Sequence, residues 1–253
     1  MAVTVQRLSM DSSWWISIGG VRLLVDPWLI GPEVDYARWF NTQWHATPPV
    51  PLDTLPTWDV VLISQKYPDH LHAETLRSLD PEEVWAPEHT HAALGRILPR
   101  ATLRDARREV IRRGELTVRW LASRRRIDPI YEAVVLDDGT DSIVLAPHGL
   151  VPDADHRGVL AECSPCVALL APLRRYQLPA VLGGAVAPGA QGLGPLVEAV
   201  EPRWIVPTHD EDKRGTGLVP RLARVTPFDP AAHPKFASRV CEVPDYSPRR
   251  FSG

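Results

Sequence analysis

The chain of 253 residues carries 28 Lys plus Arg against 31 Asp plus Glu, with 44% apolar and 23% charged residues. That length supports a core needing no disulfide or metal staple, and the near-neutral balance provides no diffuse basic field for gripping a nucleic-acid backbone. Apolar runs such as Val167 to Ala171 are far too short to span a bilayer as a helix, and Met1 to Ser9 lacks the marks of a secretory signal. The expectation is a cytoplasmic protein with no membrane partner.

Apolar alternation predicts strands at Val3 to Leu8, Trp14 to Ile18 and Val21 to Val25, with Gly19-Gly20 as a hairpin turn. An aromatic-rich, irregular insertion follows at 27–56 and carries Trp28, Trp39, Phe40 and Trp44. A loop of that length in a compact domain is functional or disordered, and the aromatics favour function. It reads as a lid whose Trp28, Trp39, Phe40 and Trp44 wall a substrate pocket, or as cover for a sheet edge or an oligomer contact. Val60 to Ser64 reads as a strand and His72 to Leu79 as a helix. Glu88-His89-Thr90-His91 reads as the cap of a helix over Thr90 to Leu98.

Further strands are predicted at Leu116 to Ala122, Tyr131 to Leu136, Ser142 to Ala146, Val167 to Ala171 and Trp204 to Pro207, and helices at Asp153 to Ala161 and Leu193 to Val200. Cys163, Cys166 and Cys241 make no disulfide framework, and Cys163-Ser-Pro-Cys166 reads as small residues at a strand entry. A Pro-rich, irregular tail begins at residue 224. The pattern predicts one α/β layered domain over 1–253, with helices on the outer faces of more than one sheet. Arg124-Arg125-Arg126, with Arg107, Arg108, Arg112 and Arg113 upstream, reads as a solvated surface.

Three apolar strands run directly into metal-ligating residue types. Val60 to Ser64 leads to Asp69-His70-Leu71-His72, Ile143 to Ala146 leads to His148, and Trp204 to Pro207 leads to His209-Asp210. Side chains presented at strand ends are held rigidly while facing solvent, which suits a metal cluster. One such histidine is unremarkable; three together point to a site.

These stretches, with Trp14-Trp15-Ile16-Ser17-Ile18 and Leu23-Leu24-Val25-Asp26-Pro27-Trp28, resemble the metallo-β-lactamase fold, in particular its lactonase-like branch related to ascorbate-phosphate lactonases. The resemblance implies a four-layer αββα sandwich. The family signature H-x-H-x-D-H here reads Gln65-Lys66-Tyr67-Pro68-Asp69-His70, so both leading histidines are replaced. Leu121-Ala122-Ser123-Arg124 offers no histidine either, so the family's first metal site is expected to be lost. The second site is expected as Asp69, His70, His148 (where the family places a bridging Asp) and His209. It would hold one divalent ion, zinc first, with iron or manganese as alternatives.

Asp26 matches the aspartate that supports the metal loop from behind in the family. Gln65 and Tyr67 should line the cavity without binding a second metal, and the Tyr67 phenol is suited to proton donation. Asp69, Tyr67 and Asp210 form the candidate catalytic set. His72 reads equally as a ligand, an orienting or substrate-binding group, or a helix cap. Glu132 and Asp210 read as acid/base or supporting groups, or as solvated carboxylates. The expected activity is metal-dependent hydrolysis of a small ester, lactone or amide. The alternatives are a mononuclear-metal lyase, cyclase or redox enzyme, and a catalytically silent binding protein on the same fold. The expected partner is a small-molecule substrate, with a second copy of the chain, in a homo-oligomer, as an open alternative.

Overall fold

The computed structural model describes residues 2–123, 130–210 and 213–252. In chain order its first half contains β1 (Val3–Arg7), β2 (Trp14–Ile18), β3 (Val21–Val25), β4 (Glu33–Asp35), β5 (Asn41–Trp44), β6 (Val60–Leu62), α1 (Ala73–Leu79), β7 (Glu83–Ala86), α2 (Glu88–Ile97), β8 (Thr102–Asp105), β9 (Ile111–Arg113) and β10 (Leu116–Leu121). The second half contains β11 (Ala133–Asp137), β12 (Ser142–Leu145), α3 (Ala154–Ala161), β13 (Cys166–Ala171), β14 (Arg175–Gln177), β15 (Ala185–Ala187), α4 (Ala190–Val200), β16 (Trp204–Pro207), β17 (Arg214–Gly217), α5 (Leu218–Leu222), β18 (Arg224–Thr226), α6 (Pro234–Ala237) and β19 (Arg249–Phe251).

Two large sheets form, in the orders β19-β1-β2-β3-β6-β7-β8 and β16-β13-β12-β11-β10-β9. Alternation along β1 and β2 buries Val3, Val5, Trp14, Ile16 and Ile18 on one face, since successive side chains point to opposite sides of a strand. That face meets Leu116, Val118, Val134, Leu136, Ile143, Leu145, Ala168 and Leu170 of the other sheet in one core cluster. The outer face of the first sheet, with Leu24, Val61, Ile63 and Val84, is covered by Leu76 of α1 and Leu94 of α2. The outer face of the second, with Val135, Val144, Leu169 and Ile205, is covered by Leu193, Leu196 and Val197 of α4 and Phe236 of α6. Strands β11, β12 and β13 are therefore buried throughout, as strands covered on both faces must be. The result is the four-layer αββα sandwich.

Several expectations change. The insertion at 27–56 is not structureless: β4 and β5 pair as a hairpin, and β17 joins β5 antiparallel. The tail from 224 contains β18, α6 and β19, and β19 pairs with β1 at the edge of the first sheet through Val3↔Phe251. Strands β7 and β8, absent from the sequence reading, extend the parallel run β3-β6-β7-β8. The Arg124 to Arg126 run lies outside the described residues, but Arg107, Arg108 and Arg113 pair with Glu132, Glu88 and Glu83. Cys163, Cys166 and Cys241 are free thiols, and Cys166 opens β13. Among the described residues, no helix is long and apolar enough to cross a membrane.

Parallel pairing sets the location of the site. In the first sheet β6 runs parallel to β3 and β7, and in the second β12, β13 and β16 run parallel to one another. Loops leaving the carboxyl ends of such strands are where α/β sheets gather ligands, and these loops carry Asp69, His70, His148 and His209.

Candidate metal centre

The loop after β6 turns tightly, with His70 N and Leu71 N both donating to Tyr67 O at 2.9 and 2.7 Å. This turn buries the His70 ring completely. His148 follows β12 in a turn closed by Gly149 N donating to Ala146 O. Gly149 has φ +75°, and a Cβ there would meet Pro188 Cγ at 3.1 Å, so glycine suits this position. His209 follows β16 and itself has φ +59°, and Asp26 after β3 has φ +45°. Left-handed backbone at non-glycine residues is uncommon and collects at functional sites.

The β16 exit is anchored from the opposite end of the chain. His209 N donates to Asp11 O at 3.0 Å, Trp14 Nε1 donates to Thr208 Oγ1 at 2.8 Å, and the Arg7 guanidinium donates to Pro207 O. Arg7 also lies 4.4 Å over the Trp14 ring.

His70, His148 and His209 place donor nitrogens within 4.8 Å of one another. In each ring Nδ1 faces a group that can only accept: Asp26 Oδ2 at 2.8 Å for His70, Val186 O at 3.1 Å for His148 and Asp11 Oδ1 at 2.9 Å for His209. Each Nδ1 is therefore placed to donate, which turns each Nε2 inward, where it can serve as a ligand atom once any proton on it is displaced. His70 Nε2 and His148 Nε2 lie 3.3 Å apart, a repulsive arrangement of lone pairs unless a cation or proton lies between them. The donor set fits a divalent metal ion. Asp69 flanks it, with Oδ1 3.9 Å from His70 Nε2 and Oδ2 3.6 Å from His209 Nε2.

Charges reinforce the arrangement. Burial works against a charged His70, but Asp69 and then Asp26 outweigh it and push the ring up to about 9. Burial, with the neighbouring His209 and His70 rings, holds His148 well below its ordinary value. Burial alone would raise Asp69, yet His70, Lys213 and His209 keep it well below the carboxylate range.

Asp26 is buried and accepts from Ser64 N at 2.7 Å and Ser64 Oγ at 2.5 Å besides His70, so it fixes the loop and the ring together. Gln65 does not line the cavity: it is buried, with Nε2 donating to Ile130 O at 2.7 Å. Tyr67 does line it. His72 caps α1, taking Thr75 N at 3.3 Å, with Nε2 on Pro32 O at 3.2 Å, and stands outside the imidazole cluster. Glu132 is buried and accepts from Trp120 Nε1, Ser123 N and Arg107 Nε, which ties β10 to β11 rather than reaching the cavity. Asp210 lines the cavity, but its oxygens accept from Leu173 N and Arg174 N, both at 3.0 Å. Burial still raises it to about 6.

The cavity above the cluster measures about 560 Å³. Its floor is formed by Asp69, His148, His209 and Lys213, and its walls include Phe40, Ile130, Leu178, Leu182, Val186 and Val219. Trp39 and Trp44 do not line it; they are 73% and 39% exposed. Trp28 is fully buried beneath the site instead, with Lys213 Nζ 5.3 Å from its ring. The hairpin does form a wall, through the alternate positions Glu33 and Asp35 of β4 and Asn41 and Gln43 of β5, with Phe40 added from the turn between them.

Three polar residues beside the cluster carry no sequence motif. Lys213 Nζ lies 2.9 Å from Asp11 Oδ2 and 3.5 Å from Asp69 Oδ2. Burial would lower Lys213, but Asp11, Asp69 and Glu33 raise it well above the usual lysine range. Glu33 lines the cavity, is only 2% exposed, and accepts from Asn41 Nδ2 at 3.4 Å. Burial and then the nearby Asp69 push Glu33 up to about 8.

A four-layer αββα sandwich with imidazoles gathered at the carboxyl ends of parallel strands is the architecture of the metallo-β-lactamase class. A family model, the beta-lactamase superfamily domain, matches residues 9–142, over half of the sequence, and the chain belongs to this superfamily. No curated protein matches it in sequence. Among solved structures, an isothiocyanate hydrolase from Delia radicum gut bacteria superposes with TM-score 0.71 at 16% identity, covering 99% of this chain and 100% of that one. A metallo hydrolase from the hyperthermophilic archaeon Ignicoccus hospitalis superposes with TM-score 0.65 at 14% identity over 100% of both chains. CmlA, a diiron β-hydroxylase from Streptomyces venezuelae, superposes with TM-score 0.64 at 16% identity, covering 98% of this chain and 53% of that one.

Proposed function

We propose that the chain is a metal-dependent hydrolase of a small, uncharged ester, lactone or amide with an apolar substituent, using one divalent ion, zinc first. The observation that carries this reading is the convergence of the His70, His148 and His209 Nε2 atoms at one point beneath a cavity that His148 and His209 line together with several apolar side chains. His70, His148 and His209, with Asp69 beside them, would hold the ion. When bound, such an ion supplies Lewis acidity toward a carbonyl oxygen and toward water.

The chain's own residues supply the rest. Asp26 and Asp11 hold the His70 and His209 rings in the tautomer that leaves Nε2 free. Phe40, Ile130, Leu182 and Val219 desolvate the apolar part of the substrate. Glu33, neutral to about pH 8, is positioned in the cavity as a proton donor to a leaving group, a role its pKa suits better than that of an ordinary carboxylate. The Tyr67 phenol adds a second donor in the cavity lining. Asp210 orders the Leu173-Arg174 loop.

The test is elemental analysis of the purified chain together with a panel of lactones, esters and amides bearing short apolar groups. Lactones are included for the lactonase-like resemblance and an isothiocyanate for the structural likeness. One tightly held ion and turnover that chelation abolishes are expected. A chain that holds no metal and turns over nothing would point to a silent binding protein, and a metal-loaded chain inert to the whole panel would sink hydrolysis.

A further inference from the structure

We infer that the ammonium of Lys213 occupies a second cation position, between the carboxylates of Asp11 and Asp69 beside His209, and so restricts the centre to a single metal ion. This rests on the metal reading above and specifies what sets its stoichiometry. Two groups of possible ligands overlap at His209: the three imidazoles, and Asp11, Asp69 and His209, whose donor atoms also lie within 4.8 Å of one another. Into the second group projects Lys213, with Nζ 2.9 Å from Asp11 Oδ2 and 3.5 Å from Asp69 Oδ2.

Asp69 stands between the two positions. One oxygen faces His70, and the other faces His209 and Lys213, which is the geometry of a carboxylate bridging two cations. Here one of those cations is covalently part of the chain. Lys213 immediately precedes β17, whose Arg214 pairs with Trp44 of β5, so the backbone that follows it is held in a ladder. The Lys213 side chain is only 13% exposed, and the buried carboxylate of Asp11 has no exposure at all. Two carboxylates withdrawn from water require a cation, and the ammonium provides one without depending on metal supply. His209 Nδ1 is already committed to Asp11 Oδ1 and its Nε2 faces the first position, so the second position offers carboxylate oxygen. Such a set suits manganese as well as zinc once the ammonium is removed.

The experiment loads the full chain with zinc alone, and separately with manganese alone, removes unbound ion by gel filtration and measures metal per chain. The wild type is expected to retain one ion and Lys213→Ala two, with Asp11→Asn added to Lys213→Ala returning the count to one. Lys213→Arg, which keeps a cation in place, is expected to stay at one. If Lys213→Ala is unfolded as purified from metal-depleted medium, zinc should restore its circular dichroism, because a divalent ion then substitutes for the ammonium. One ion in folded Lys213→Ala, two in the wild type, or failure of zinc to restore the fold while Lys213→Arg folds normally would each overturn the assignment. A wild type that retains no ion would instead overturn the metal reading on which it rests.

Discussion

Asp26 determines which nitrogen of His70 is available, since its Oδ2 takes the Nδ1 proton at 2.8 Å while Oδ1 takes Ser64 N. Removing such a partner loosens ring and loop together, and Asp26→Ala is expected to weaken metal affinity by about 10- to 100-fold. Competition against a chromophoric chelator measures this, and an unchanged affinity would remove Asp26 from the role. Glu33 makes the opposite kind of contribution. The folded chain keeps the Glu33 proton to about pH 8, whereas a solvated glutamate gives it up near 4.5. Between these values the folded state binds more protons, so stability falls as pH rises through that window and levels off above it. Glu33→Gln removes the dependence, and by pH 8 it is expected to unfold with about 4 kcal/mol more free energy relative to wild type than at pH 4.5; urea titrations across the range would show a constant difference if Glu33 were ionised throughout. His70, His148 and His209 were readable because each follows an apolar strand. Asp11 and Lys213 were not, because Asp11 sits among serines in a turn and meets His209 across 198 positions, and no local pattern encodes that contact. His72 was ambiguous by composition, and only the Thr75 contact identifies it as a cap.

At the scale of elements, the β4–β5–β17 unit positions the inner wall of the cavity. Gly217 makes its corner: with φ +106°, and with Phe40 O 2.7 Å from where a Cβ would sit, it admits no side chain. Phe40 points into the cavity and Trp39 to solvent. Phe40→Ala is therefore expected to raise KM roughly tenfold with the unfolding midpoint little changed, while Trp39→Ala leaves KM unaltered. Equal effects of the two, measured by steady-state kinetics beside thermal melts, would contradict this orientation. The main strands were legible because five or six residues suffice to display alternation or continuous burial. Strands of three or four were legible only where they are mostly apolar and buried, as in β6, β12 and β16. Arg214-Gly-Thr-Gly has no β pattern and is extended only because β5 offers it a ladder, and Glu83-Val84-Trp85-Ala86 is too short to distinguish from a helix flank. Helices α1 to α4 were placed within a few residues because Pro, Gly and Asp punctuate them.

For the whole molecule, the proposed ligands come from different sheets: Asp69 and His70 follow β6 of the first, and His148 and His209 follow β12 and β16 of the second. An ion held there clamps one layer to the other, and binding restricted to the folded state adds about 4 kcal/mol at a thousandfold excess over Kd. Chelation is expected to lower Tm by about 10 °C, and readdition of zinc to restore it; a Tm indifferent to chelator would mean that the clamp carries no load. The bond between Asp11 and His209 has a consequence in time as well as in space. It joins the second strand's approach to the end of β16, so the ring that must close before the site exists contains most of the chain. Closing a ring of that length is slow and comes after local pairing. The hairpin of β2 and β3 and the helices α1 and α2 can therefore form while the ligands are still scattered. Metal then joins a nearly finished protein: it is expected to leave the rate of folding almost untouched and to slow unfolding instead, so that the ion acts as a latch fastened last and released first.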